Sequence, residues 1–137
     1  MHRMLKRLAA FAALTLTLAV AAAPAYAGSP HFVGSPTASL SGSTLTVSGK
    51  EAGLGDETQI TVEVSATVAC VNRGDHNPSA ANKQTFGAGT DVPVQNGKAN
   101  YTVTVPINFQ PKCSAPMTLV LVSGTVTDTT NGISATF

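Results

Sequence analysis

The chain has 137 residues, with eight Lys and Arg against seven Asp and Glu, two Cys, 5% aromatic residues and no Trp. Three of the cations (Arg3, Lys6, Arg7) lie in an N-terminal stretch that reads as a leader, so residues 28–137 keep five cations against seven anions, a net charge of −2 with no basic cluster. Binding of nucleic acid through phosphate neutralisation is excluded on that balance.

His2, Arg3, Lys6 and Arg7 make a basic n-region, Leu8 to Val20 is apolar and uncharged, and Ala25-Tyr26-Ala27 fits the small-x-small cleavage rule. The apolar run is shorter than the roughly 20 residues a spanning helix needs. Residues 1–27 therefore read as a signal peptide, with a mature chain from Gly28, secretion, and no membrane span once the signal is removed. The 110 residues that remain suit one domain. Two cysteines in an exported chain pair, which predicts a Cys70–Cys113 disulfide.

Along the mature chain, residues 28–36 carry two Gly/Ser/Pro breaks and read as a flexible lead-in or a short edge strand. Ala38, Leu40, Leu45, Val47 and Gly49 alternate with Ser and Thr about the turn Ser41-Gly42-Ser43. Lys50 to Glu57 reads as a polar connection. From Thr58 to Val71, Ile60, Val62, Val64, Ala66, Val68 and Cys70 share one parity, and Gln59, Thr61, Glu63, Ser65 and Thr67 the other. That is a strand with one buried and one wet face. Asn72 to Lys83 shows no periodicity and reads as a loop.

Gln84 to Gln95 is broken by Gly87, Gly89 and Pro93, which suggests an edge strand. Asn96-Gly97 is the strongest hairpin signal, and it predicts antiparallel pairing of 92–95 with 98–107. Asn108 to Pro116 is a loop. Met117 to Val122 is apolar on both parities, which fits a strand covered on both faces or one face kept for a partner. Asn131-Gly132 forms a second turn before Ile133 to Phe137. Ser and Thr make up 27 of the 110 mature residues, a composition suited to the wet faces of strands.

Seven or eight short strands with regular turns predict an all-β fold, a single antiparallel β-sandwich of immunoglobulin-like style over 37–137. The absence of Trp, and cysteines at a strand end and in a loop, depart from a true immunoglobulin domain. An outer-membrane barrel is set aside, since only four aromatic residues precede Phe137 in the mature chain and two aromatic girdles are required.

The candidate binding residues gather at the Cys70 end: Asn72, Arg73, Asp75, His76, Asn77 and Lys83 in one loop, and Lys112 in the other. Loops held on a rigid sandwich are where binding residues concentrate. Arg73-Gly74-Asp75 spells an adhesion-type tripeptide, but three residues recur by chance. Asn72, Asp75 and Asn77 offer oxygens, yet the twelfth position counted from Asn72 is Lys83, so no EF-hand is present. Asp75 and His76 are adjacent in an extended loop, where neighbouring side chains point apart. No Gly-x-Ser-x-Gly, His-Glu-x-x-His or Cys-x-x-Cys occurs, so the chain reads as a non-enzyme with no cofactor and no metal. Glu51, Asp56 and Glu57 read as a hydrated acidic connection.

Cys70-Val71-Asn72-Arg73-Gly74 and Pro78-Ser79-Ala80-Ala81-Asn82-Lys83 resemble a pattern in small secreted actinobacterial proteins without an assigned function. Lys50 to Gly55 and Asp128 to Gly132 are similar to it as well. The resemblance implies export and one domain, and it transfers no functional residue. The sequence thus predicts a secreted, non-catalytic protein that binds or packs against an extracellular protein or envelope component. The alternative is a protease inhibitor presenting the disulfide-braced loop around Lys112.

Overall fold

The computed structural model describes residues 28–72 and 82–137. Eight strands follow in order: β1 (His31–Phe32), β2 (Thr37–Ser41), β3 (Thr44–Ala52), β4 (Gln59–Val71), β5 (Lys83–Pro93), β6 (Lys98–Pro106), β7 (Thr118–Asp128) and β8 (Ile133–Thr136). All pairings between them are antiparallel.

In one sheet β6 runs the full length of β3, from Thr44↔Pro106 to Ala52↔Lys98. β2 and β1 share the other edge of β3, one after the other. The second sheet has the order β5-β4-β7-β8. The two sheets pack face to face as an all-β sandwich. Residues 28–36 are divided: His31 and Phe32 pair with Ala52 and Glu51 as an edge strand, and the rest connects.

The core follows from the period of two. Leu45 and Val47 of β3, Ile60, Val62, Val64, Ala66 and Val68 of β4, Tyr101, Val103 and Val105 of β6, and Val126 of β7 interleave between the sheets. Burying each such aliphatic side chain stabilises the fold by about 1.5–3 kcal/mol before the entropy of ordering it. β4 is central to its sheet, bonded to β5 on one side and β7 on the other.

Asn96 and Gly97 have φ of 52° and 70°, the two positive values a type I′ turn requires. The long hairpin expected on either side of it does not form. Only Gln95 and Lys98 bond across it, at 2.8 and 3.1 Å. Before the turn, β5 belongs to the β4 sheet, and after it β6 belongs to the β3 sheet. The turn is a corner of the sandwich, because pairing with the long apolar edges of β4 and β3 outweighs continued pairing of two strands already committed to different sheets.

β7 also departs from a regular strand. Thr67 pairs with Ser123 and Val68 with Leu121, so Val122 has no partner on β4. Such a bulge switches which side chains face inward. Leu119 and Leu121 are half-buried before it, and Gly124, Val126 and Asp128 are buried after it. The apolar run on both parities is explained here: Val120 and Val122 stay 44% and 46% exposed.

The two ends of the sandwich differ. At the corner-turn end, Leu54 sits fully buried in the connection between β3 and β4, its N–H donating to Gly97 O at 3.0 Å. The other end carries the disulfide and the loop from β6 to β7.

Candidate functional site

Cys70 and Cys113 are bonded, with Cα atoms 5.7 Å apart. Cys70 closes the buried face of β4, and Cys113 lies in the segment 107–117 between β6 and β7. Three further contacts seat that segment. The Gln84 amide of β5 bonds both ways to the backbone of Gln110: its Nε2 donates to the carbonyl, and its Oε1 accepts the Gln110 N–H at 3.0 Å. Phe109 is buried, with its ring centroid 6.2 Å from that of Phe86. Met117 places Sδ 3.8 Å from Cys70 Sγ, and its N–H donates to Ser114 O at 3.0 Å to close a turn. A loop that would otherwise be loose is therefore fixed covalently, by side-chain hydrogen bonds and by packing.

Fixing the loop leaves a cleft where the two sheets part. One lobe, of about 420 Å³, is lined by Leu40, Gly42, Ser43, Cys113, Met117 and Leu119. A second lobe of about 260 Å³ shares Ser43, Cys113 and Leu119, and adds Ile107, Gln110 and Lys112. The floor is aliphatic and sulfur-bearing, while the rim is built from hydroxyl and amide groups with a single cation. Such a lining holds an apolar group by burial and orients it with a few polar contacts.

The candidate residues from the sequence fall as follows. Asn72 is exposed just beyond β4, Lys83 is exposed as the first residue of β5 opposite Ala69, and Lys112 is exposed on the cleft rim. The bridge and the Gln84–Gln110 bonds bring all three to one end of the sandwich. Arg73, Asp75, His76 and Asn77 lie outside the described residues. Leu40, Ser43, Met117 and Leu119 were not among the candidate binding residues, although Met117 and Leu119 belong to the run Met117 to Val122, whose apolar residues on both parities fit a face kept for a partner.

A second cluster lies toward the opposite end and corrects the reading of Glu51 and Glu57 as part of a hydrated connection. Glu51 is 1% exposed, on the inward parity of Leu45, Val47 and Gly49 in β3. It meets Asp128 of β7, which is fully buried. Asp128 Oδ1 accepts the N–H groups of Thr130 at 2.8 Å and Asn131 at 3.2 Å, and its Oδ2 accepts Asn131 Nδ2 at 2.7 Å. The same Nδ2 donates to Glu57 Oε2 at 3.0 Å. Neither Glu51 oxygen has a donor, and the Tyr101 hydroxyl, standing over Gly49, has no partner either.

Burial, then the nearby Asp128, then the charge of Glu57 push the Glu51 carboxyl up to about 8. Burial and the nearby Glu51 push Tyr101 up to about 12. Two carboxyls from opposing sheets thus share a dry interior, and the proton resides on the one without donors. Among the described residues no group of three or more His, Cys, Asp and Glu side chains is placed to hold a metal ion. No helix among them is long and apolar enough to cross a membrane.

No family model, curated protein or solved structure matches the chain.

Proposed function

We propose that the chain is a secreted, non-catalytic β-sandwich that binds a partner outside the cell, at the surface or in the medium, through its disulfide-braced rim. The observation that carries this reading is the cleft over Leu40, Met117 and Leu119, whose walls are fixed in place by Cys70–Cys113 and by Gln84 on Gln110. The basic, apolar, small-x-small order of residues 1–27 supports export, and a disulfide belongs to an oxidising compartment.

The test is retention. Purified, oxidised protein incubated with envelope fractions and with concentrated culture medium is expected to be held by one of them and to elute with it. Free passage through both contradicts the proposal.

A second reading is favoured by one feature. Lys112 is exposed beside the bridged Cys113, on a segment that Gln84 anchors one residue before Pro111. A braced loop bearing an exposed cation is the form in which an inhibitor offers itself to a protease that cleaves after basic residues, because pre-ordering the loop lowers the entropy cost of binding. Micromolar protein is then expected to slow such a protease, with the effect lost on Lys112→Ala. Unchanged protease rates across a serine-protease panel remove this reading.

A further inference from the structure

Glu51 and Asp128 come from different sheets, β3 and β7, and meet in the interior at 1% and 0% exposure. Every donor at this point serves the other acids. Thr130 and Asn131 give their N–H groups to Asp128, and the Asn131 amide bridges Asp128 and Glu57. Glu51 receives none.

The charged and titratable groups around Glu51 can be named element by element. Asp128 faces it from β7, Glu57 from the connection before β4, and Tyr101 from β6. Lys50 and Lys98 border the same surface depression as Glu51, but both are exposed. His31 of β1 is exposed and bonds through Nδ1 to Ser29 O at 2.7 Å. Among the described residues no buried cation balances the acids, and two adjacent carboxylates cannot both ionise cheaply in a dry interior.

We propose that Glu51 and Asp128 form a proton-dependent joint between the two sheets, closed while Glu51 holds its proton and forced apart when it loses it. With Glu51 neutral, the pair carries one charge, on Asp128, which three N–H groups already satisfy. With Glu51 ionised, a second uncompensated charge sits between β3 and β7, with Glu57 adding a third nearby. The parts that yield are those that Asp128 and Glu57 tie together through Asn131: the 53–57 connection and the β7–β8 turn. The domain therefore senses the pH of its surroundings and loosens in an alkaline medium at the end away from the cleft.

The sign follows from the direction of the shift. The folded-state value of Glu51, about 8, lies above its ordinary value of 4.5. The stabilisation is fully present below 4.5 and is lost as pH rises through 8. Between those limits the unfolding constant is expected to climb by up to about tenfold per pH unit, and then to level off.

Urea unfolding of the oxidised protein at pH 5, 7 and 9 reads this directly, with the midpoint falling at each step. Glu51→Gln keeps the shape, offers Asp128 an N–H and cannot ionise, so its midpoints are expected to be flat across the same range. A carbon-13 carboxyl titration of the unaltered protein gives an independent reading should that variant fail to fold. It is expected to show Glu51 titrating near 8. Equal pH slopes in both proteins, or a Glu51 carboxyl that titrates in the ordinary range, overturns the proposal.

Discussion

Removing the Cys70–Cys113 bridge is expected to lower folding stability by about 4 kcal/mol, the chain-entropy figure for a loop of this length. The bridged cysteines are 43 positions apart, so the cross-link removes many extended conformations from the unfolded chain. On the folded side, Cys70 is 7% exposed and packs beside Met117 Sδ, so deletion of the sulfur also opens a small void. The check is urea unfolding of the protein before and after reduction, with Cys70→Ala combined with Cys113→Ala as the second arm. The loop 107–117 keeps Gln84 and Phe86 as anchors, so proteolysis of the reduced protein should begin between Gln110 and Met117 while the sheets persist. A stability change under 1 kcal/mol would mean that these non-covalent contacts alone fix the rim.

Leu54→Ala is expected to cost about 3 kcal/mol, within the range of about 2–5 kcal/mol for truncating a buried leucine. Leu54 is fully buried, although it sits in a Gly-rich connection rather than in a strand. It plugs the corner-turn end of the sandwich under Gly97, which takes its N–H. The backbone there is held by Gly53 and Gly55 in left-handed conformations and has little freedom to collapse into the cavity. Thermal or urea unfolding measures the effect, with Val120→Ala as the comparison. Val120 is 44% exposed, so its truncation should change stability by no more than about 0.5 kcal/mol.

The same contrast separates what was legible in the sequence from what was not. β4 and β6 were legible because each has one wet face, and a period of two then marks every inward residue from Ile60 to Val68 and from Ala99 to Val105. The bridge was legible because there were only two cysteines to pair. Leu54 was hidden by its neighbours: three acids and two glycines make the connection look solvated, and only its place under a distant turn buries it. Glu51 was hidden by its charge. Its parity with Leu45 and Val47 points inward, but a carboxyl is read as wet until a partner is found, and Asp128 lies at the far end of the chain. The splitting of β5 and β6 between sheets was illegible for a different reason. Asn96-Gly97 fixes the turn locally, whereas the choice of neighbouring strand depends on the edges of β3 and β4. At the site, Lys112 and Lys83 were legible as exposed cations near the bridge. The apolar floor over Leu40 and Leu119 was not, since it exists only where the sheets part.

Binding at the rim is tested most directly by placing the same charge at opposite ends of the protein. Thr118→Lys puts a cation on the exposed lip of the cleft, opposite Val71, and Gln59→Lys puts one on the exposed start of β4, about 40 Å away along a strand rising about 3.3 Å per residue. Both positions are exposed, so both variants should fold with unaltered unfolding midpoints. Retention on the envelope or medium component that holds the unaltered protein is expected to fall at least about tenfold for Thr118→Lys and to stay unchanged for Gln59→Lys. Equal retention of all three proteins, or loss confined to Gln59→Lys, would contradict a binding site at the braced rim.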